Sequence, residues 1–344
     1  MKKKISIISI ILLILIVTGF YIIKNLTETD DGKISTYAAV NLQLDKILNP
    51  VSLKGKSIKE IRQHLNNQSV KWSKAPILFK DIKNLTITAG SDKIPVRIYT
   101  PDTKGKLPII IYSHGGFWVG GNLDTCDNIC RKLSMYTKVI VISVDYRLAP
   151  ENPFPEGLND IYDVLKWTYE NSESINGDKN LIAIAGDSAG GNLSAAVSLM
   201  ARDKNSPKII CAVLIYPSTD VYNLSSKSWS YFDNKFNISK EDMQKFISLY
   251  IPGKEDRKLP YASPLLARNL KNLPDTFVIT AEIDPLRDEG EAYAEKLKEA
   301  GNKVYVKEYE GAAHGFVNMD KITNKADEAL NDISLYLQKE FQKK

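Results

Sequence analysis

The segment Gly186-Asp187-Ser188-Ala189-Gly190 lies between the apolar run 181–185 and a helical pattern that begins near Asn192. A serine between two such glycines can occupy a strained strand-to-helix turn, because glycine has no Cβ atom to block the approach of neighbouring backbone. On such a turn the serine hydroxyl stands exposed above the sheet. The segment therefore predicts a nucleophile elbow that carries Ser188.

A glycine pair follows an earlier strand-like segment. Gly115 and Gly116 lie in the sequence His114-Gly115-Gly116-Phe117-Trp118, directly after the apolar residues 109–112. Paired glycines let backbone N–H groups turn inward, and acyl transfer needs such donors to hold the negative oxygen of its tetrahedral intermediate. We expect an oxyanion hole built from the N–H groups of Gly115, Gly116 and Ala189.

The candidate base is His314, which follows a strand-like segment at 304–306. It lies in the small-residue loop 311–316, where an imidazole has room to move between a serine and a leaving group. The chain has only two other histidines. His64 lies on a predicted helix and His114 belongs to the glycine loop, so His314 is the predicted base.

The candidate carboxylate is Asp284, which ends the strand-like segment 277–283. It stands immediately before Pro285, where a short side chain can be fixed toward the histidine. Asp288 is the main rival among the acidic residues near this strand end. The order Ser188, Asp284, His314 is the chain order of an α/β-hydrolase triad.

Apolar periodicity predicts the fold independently. Near-continuous apolar runs indicate strands buried on both faces, which belong to a parallel sheet, and helical stripes separate them. An alternating pair on either side of residues 89–92 predicts an antiparallel hairpin at the sheet edge. The expected architecture is a mostly parallel central sheet flanked by helices, with functional loops at the carboxyl ends of strands. The runs lie at 109–112, 139–142, 181–185, 209–216 and 277–280.

Two segments outside this alternation, about 35–75 and 218–260, predict a helical cap. Ser57 and Glu60 form a capping-box pattern in the first segment, and Ser239 is a candidate N-cap in the second. Their helices either pack on the core as ordinary elements or roof the active site. We expect a roof, because their apolar stripes need a partner and the mouth of the sheet offers one.

Five motifs, in the order expected at strand ends, resemble the hormone-sensitive-lipase-like family of α/β-hydrolases, whose members are mostly carboxylesterases. The resemblance covers roughly residues 35–340. It implies a serine esterase with an N-terminal helical cap that acts on short- to medium-chain acyl esters without a metal or an organic cofactor. The motifs are His114-Gly115-Gly116, the segments 145–151 and 186–192, Asp284-Pro285-Leu286 and His314-Gly315-Phe316.

Two other functions are compatible with these motifs. A ligand-binding protein can keep the hydrolase fold without turnover, although such proteins usually lack a triad residue. An acyltransferase uses the same triad and passes the acyl group to an alcohol or an amine instead of water.

The N-terminus predicts a membrane anchor. Lys2, Lys3 and Lys4 precede an uncharged apolar run at 5–23, which is long enough to span a bilayer. We expect residues 1–30 to form an uncleaved anchor with a cytoplasmic tip, and residues 31–344 to form an extracytoplasmic catalytic domain. A cleaved signal peptide, followed by secretion, is the alternative.

Charge and cysteine content exclude other classes of function. The net charge of +5 equals the contribution of the five lysines near the two termini, so the body of the chain is near neutral. No basic stripe with interleaved aromatic residues is present, and no nucleic-acid partner is expected. Three cysteines imply no disulfide framework.

Overall fold

The computed structural model describes residues 2–29, 32–33, 35–48, 54–233 and 239–343. Its helices are α1 (Lys2–Thr27), α2 (Thr36–Leu48), α3 (Ile58–Trp72), α4 (Asp127–Thr137), α5 (Glu156–Asn171), α6 (Ala189–Asp203), α7 (Lys227–Phe232), α8 (Lys240–Tyr250), α9 (Arg287–Glu299) and α10 (Lys325–Gln342). Its strands are β1 (Glu28–Thr29), β2 (Gly32–Lys33), β3 (Asp81–Ala89), β4 (Asp92–Thr100), β5 (Leu107–Ser113), β6 (Ile140–Val144), β7 (Gly177–Asp187), β8 (Cys211–Ile215), β9 (Asp275–Ile283) and β10 (Val304–Ala313).

Strands β3 to β10 form one sheet in the order β10-β9-β8-β7-β5-β6-β4-β3. The strands from β10 to β6 in that order run parallel, whereas β4 is antiparallel to β6 and β3 is antiparallel to β4. Ala89 pairs with Asp92 across the turn between β3 and β4, which confirms the predicted hairpin. The sheet is mixed and mostly parallel, as the sequence predicts.

Helices cover both faces of the sheet, which explains why the central strands read as continuous apolar runs. On β5, Ile109 and Ile111 join the core beneath α5 and α6, while Ile110 and Tyr112 join the core beneath α4 and α10. All four side chains are fully buried. A strand with both faces covered cannot show the alternation of a half-exposed strand.

The helices of the predicted cap segments begin where the sequence indicates. Ser57 caps α3 and forms a reciprocal capping box with Glu60. Ser239 caps α8 by accepting a hydrogen bond from the backbone N–H of Asp242. Helix α7, within the second segment, was not predicted. Parts of the two segments, 49–53 and 234–238, lie outside the described residues.

The structure corrects the predicted membrane anchor. In the portion of the chain that it describes, no helix has both the length and the apolar character needed to cross a membrane, which takes about 20 consecutive apolar residues. This finding contradicts the predicted anchor at 1–30 and the membrane-anchored localisation that rested on it, and the predicted membrane partner is not supported. Residues 1 and 30–31, and the side chains of residues 2–10, lie outside what is described.

Candidate active site

Ser188 lies on the sharp turn that joins β7 to α6. Its backbone has φ 55° and ψ −117°, a conformation that L-residues rarely adopt. The two flanking glycines are needed for close backbone packing. A Cβ at Gly186 would lie 2.3 Å from the carbonyl oxygen of Gly190, and a Cβ at Gly190 would lie 2.0 Å from the carbonyl oxygen of Ser113. The elbow therefore accepts no side chain at either position.

The structure brings together the three side chains that the sequence singled out. His314 Nδ1 donates to Asp284 Oδ2 at 2.7 Å, and His314 Nε2 accepts from Ser188 Oγ at 3.0 Å. Asp284 is fully buried, and the backbone N–H of Leu286 donates to its other oxygen at 2.8 Å. These bonds fix one tautomer, with the proton on Nδ1 and the lone pair of Nε2 directed at the serine hydroxyl.

The rival carboxylate points elsewhere. Asp288 Oδ2 accepts from the backbone N–H of Ser228 at 2.8 Å, and its other oxygen contacts the guanidinium of Arg287. Asp288 therefore holds the start of α7 against α9. Within the described residues, Asp284 is the carboxylate that meets His314.

The electrostatic environment raises the pKa of His314. Burial lowers the pKa of its imidazole, but the carboxylate of Asp284, aided by that of Asp187, outweighs burial and raises the pKa above its usual range. The ring of Tyr216 lies edge-on to the imidazole, with 4.8 Å between ring centroids. Such a site stabilises an imidazolium, which is the charge that forms when the histidine takes a proton.

Asp187 is a buried polar residue whose position the sequence analysis did not foresee. Its Oδ1 accepts from the Tyr112 hydroxyl at 2.8 Å and from the backbone N–H of Gly115 at 3.1 Å. Burial raises the pKa of the Asp187 carboxyl, although both of these donors act to lower it. Asp187 links the elbow to the glycine loop. In the sequence, its position next to Ser188 in the elbow segment 186–190 is the feature that points to it.

The glycine loop differs from expectation at one donor. The N–H of Gly115 is engaged by Asp187, so it does not point freely into the site. Gly116 N–H donates to no other group in the part of the chain that the structure describes. Ala189 is the first residue of α6, so its N–H has no acceptor within that helix. Gly116 and Ala189 are therefore the two free donors of the predicted set.

The side chain of His114 stabilises this loop. Its Nδ1 donates to the carbonyl oxygen of Gly115 at 2.8 Å, and its ring stacks on Tyr146 with centroids 4.4 Å apart. Burial lowers the pKa of His114 to about 4, against the opposing effect of the Gly115 carbonyl. His114 is therefore neutral at neutral pH and adds no charge beside the site.

A mainly apolar cavity of about 160 Å³ opens at Ser188 and His314. The helices of the predicted cap segments contribute to its wall through Leu42 of α2, Trp72 of α3 and Phe232 of α7. Across the described residues, no group of three or more His, Cys, Asp or Glu side chains is placed to hold a metal ion.

Helix α7 is fastened to the strand end that carries Asp284. Glu289 is buried in the first turn of α9 and accepts from the backbone N–H of Thr219 at 2.8 Å and from Trp229 Nε1 at 3.3 Å. Burial raises the pKa of the Glu289 carboxyl to about 8, despite these donors. The wall residue Phe232 therefore sits on a helix that is tied to the Asp284 loop.

A buried ion pair anchors the loop that follows His314. Lys132 of α4 donates to Asp320 at 2.6 Å, and both side chains are almost fully buried. Asp320 also accepts from the backbone N–H of Lys74 at 2.6 Å, just beyond the end of α3. The backbone N–H of Lys321 donates to the carbonyl of Trp72 at 3.0 Å. The loop after His314 and the end of α3 thus share one anchor.

The mostly parallel sheet with a serine at its strand-to-helix elbow and a histidine and an aspartate at later strand ends defines an α/β-hydrolase. A family model described as alpha/beta hydrolase fold matches residues 110–318. The chain belongs to the hormone-sensitive-lipase-like family of α/β-hydrolases, which confirms the resemblance seen in the sequence.

Named relatives agree with this assignment. Carboxylesterase NlhH of Mycobacterium tuberculosis is 39% identical over 261 residues, which are 74% of this chain and 82% of that protein. The arylesterase of Saccharolobus solfataricus is 38% identical over 75% of this chain and 84% of that protein. The structure of a hyperthermophilic esterase from the archaeon Pyrobaculum calidifontis has a TM-score of 0.85 at 36% identity, over 89% of this chain and 98% of that chain. The protein is accordingly a carboxylic ester hydrolase.

Proposed function

We propose that the protein is a serine carboxylesterase that hydrolyses short- to medium-chain acyl esters through Ser188, His314 and Asp284. One observation carries the proposal: an unbroken chain of hydrogen bonds runs from Ser188 Oγ through His314 to a fully buried Asp284, at the mouth of an apolar cavity. This arrangement activates a hydroxyl that is otherwise a weak nucleophile.

The reaction follows from the tautomer that these bonds fix. Ser188 Oγ attacks the ester carbonyl while Nε2 of His314 takes the hydroxyl proton, and Asp284 stabilises the imidazolium that results. His314 then gives the proton to the departing alkoxide, which leaves an acyl-enzyme. In the second half, His314 takes a proton from water, and the hydroxide formed attacks the acyl carbonyl. The tetrahedral intermediate then collapses as His314 returns the proton to Ser188 Oγ, which releases the carboxylic acid and restores the serine hydroxyl and the neutral imidazole.

The N–H groups of Gly116 and Ala189 are the proposed donors to the tetrahedral oxyanion. Both have no competing acceptor in the described structure, as shown above. Gly115 was also expected to donate directly. Because its N–H already binds Asp187, Gly115 contributes to the hole only if that bond is exchanged for one to substrate. Each donor of this kind is worth about 10²- to 10³-fold in rate.

The size and wall of the cavity support a limit on acyl length. A cavity of about 150 Å³ holds a molecule of benzene, so the cavity of about 160 Å³ fits an acyl group of a few carbons. Wall residues from α2, α3 and α7 support the proposal that the segments 35–75 and 218–260 act as a cap over the site. A longer acyl chain would have to displace these side chains or extend out of the mouth of the cavity.

The test is hydrolysis of p-nitrophenyl esters from acetyl to palmitoyl by the full chain and by two serine variants. Ser188→Ala is expected to lower kcat by at least about 10³-fold. Ser194→Ala is the matched control, because its buried hydroxyl lies on the same helix and has no partner in the described part of the chain. Retained activity in Ser188→Ala would show that another residue is the nucleophile. Equal turnover of acetyl and palmitoyl esters would refute the proposed length limit.

A further inference from the structure

Two consecutive aromatic residues of the glycine loop adopt a left-handed backbone. Phe117 and Trp118 each have φ 58°, a region that favours glycine and is a genuine outlier for bulky residues. Such strain persists only where the surroundings determine the conformation. The loop, residues 114–121, is called the oxyanion loop below.

Helix α8 supplies that constraint through two ring stacks. Phe117 lies on Phe246 with centroids 4.6 Å apart and planes inclined by 16°, and Trp118 lies on Tyr250 with 4.7 Å and 2°. Phe246 and Tyr250 are four residues apart on α8, so they lie on the same face of the helix. Both are almost completely buried. The two adjacent loop residues thus rest on adjacent turns of one helix.

The conformation of Phe117 is coupled to that of Gly116. The backbone N–H groups of Val119 and Gly120 both donate to the carbonyl oxygen of Gly116, at 3.1 and 2.8 Å. These bonds require the chain to fold back directly after Gly116, which the left-handed residues make possible. If Phe117 relaxed to negative φ, this tight turn would open. The Gly116 backbone would then lose the orientation that presents its N–H to the site.

We propose that Phe246 is a positioning residue for ester hydrolysis: its stack on Phe117 holds the oxyanion loop in the left-handed turn that orients the Gly116 N–H. Tyr250 supports the same turn through Trp118. The inference rests on the proposed function, because it assigns an oxyanion-binding role to Gly116. It also gives α8 a part in catalysis, although the helix contributes no group to the reacting atoms.

A double-mutant cycle tests this inference. Phe246→Ala is measured alone and in the Phe117→Gly background, where glycine adopts the left-handed conformation without a ring to hold it. The readouts are kcat and KM for p-nitrophenyl acetate, and inhibition by a trifluoromethyl ketone, whose adduct with the serine carries an oxyanion. Ile247→Ala is the control, since it removes a comparably buried side chain from the next position of α8.

In the parent chain, which keeps Phe117, Phe246→Ala is expected to lower kcat at least tenfold and to change KM less than threefold. The affinity for the ketone should fall by a similar factor. In the Phe117→Gly background the same substitution should cost less than threefold, and Ile247→Ala should keep kcat within threefold. An equal loss in both backgrounds, or no loss in a folded Phe246→Ala, overturns the inference.

A substitute variant and a separate activity test distinguish misfolding, failure of the proposed function and failure of the role given to Phe246. If Phe246→Ala does not fold, Phe246→Leu replaces it in the cycle, because leucine keeps apolar volume but forms no ring stack. Activity of the parent chain and its loss in Ser188→Ala test the proposed function separately. An active parent, an inactive Ser188→Ala and a flat cycle would overturn only the role of Phe246.

Discussion

Replacing Asp284 with asparagine should lower kcat by a factor set by the short distance between its carboxylate and His314. The carboxylate lies 2.7 Å from His314 Nδ1. At that distance, with an effective dielectric constant of about 20, unit charges attract by about 6 kcal/mol. Before His314 takes the serine proton, the hydrogen bond from the neutral imidazole to Asp284 already supplies about 2 kcal/mol of this attraction. The remaining stabilisation of about 4 kcal/mol corresponds to a loss of about 10³-fold in kcat.

The same substitution should shift the pH profile. Asp284 helps to hold the pKa of His314 above its usual range. The proposed mechanism requires the neutral imidazole, so activity is expected to fall as pH drops through that raised pKa. Asp284→Asn removes this contribution and should move the acid limb of kcat/KM to lower pH. A pH-stat assay of acid release from a short ester, between pH 5 and 9, measures both effects.

Asp288→Asn is the matched control for this prediction. Asp288 lies on α9, four residues along the chain, and binds the backbone of Ser228 instead of the imidazole. We expect its kcat to stay within threefold of the parent. A loss smaller than tenfold in Asp284→Asn, an acid limb that moves upward, or equal losses in the two variants would refute the reasoning.

Three further predictions concern stability. Gly190→Ala would place a Cβ 2.0 Å from a backbone oxygen of β5, so we expect little folded protein, as judged by near-UV circular dichroism; a folded variant would contradict the packing described. Lys132→Met leaves the charge of Asp320 buried and without its ion-pair partner, and urea titrations should show the free energy of unfolding lowered by about 3–5 kcal/mol. The control Lys80→Met breaks an exposed ion pair and should change the free energy of unfolding by less than about 1 kcal/mol. Burial raises the pKa of Glu289 to about 8, so its carboxyl holds the proton more tightly in the folded state than in the unfolded state. The free energy of unfolding should therefore fall as pH rises from about 4.5 to 8. Urea titrations of Glu289→Gln should show a smaller decline over this range, and a decline equal to that of the parent would contradict the raised pKa.

The features that the sequence predicted correctly are encoded by a few consecutive residues each. The glycines around Ser188 and the small residues around His314 belong to strand-end motifs, and period-two alternation defined the hairpin whose turn begins at Ala89. The capping box at Ser57 is likewise contained within four residues. Each of these features depends on local backbone geometry, which neighbouring residue types largely determine.

The parts that the sequence did not predict depend on partners that are distant along the chain. Asp187 takes the N–H of Gly115 across 72 residues, and that capture changes which backbone groups remain free. Phe117 is an aromatic residue in a conformation that its own propensity disfavours, and its tertiary contact with Phe246 helps to explain it. The run at 5–23 predicted a membrane span from its length, its lack of charge and the lysines before it, but none of the helices among the described residues is both long and apolar enough to cross a membrane.

The shared anchor at Asp320 has a consequence for attempts to widen the substrate range. Because Asp320 binds both Lys132 and the backbone that follows α3, a shift of α3 away from the cavity would pull on the loop that carries His314. Enlarging the cavity by remodelling that helix would therefore disturb His314, the proposed base. Trimming individual wall side chains, such as Leu42 on α2, leaves the anchor intact and is the safer route for an engineer who wants longer acyl groups accepted.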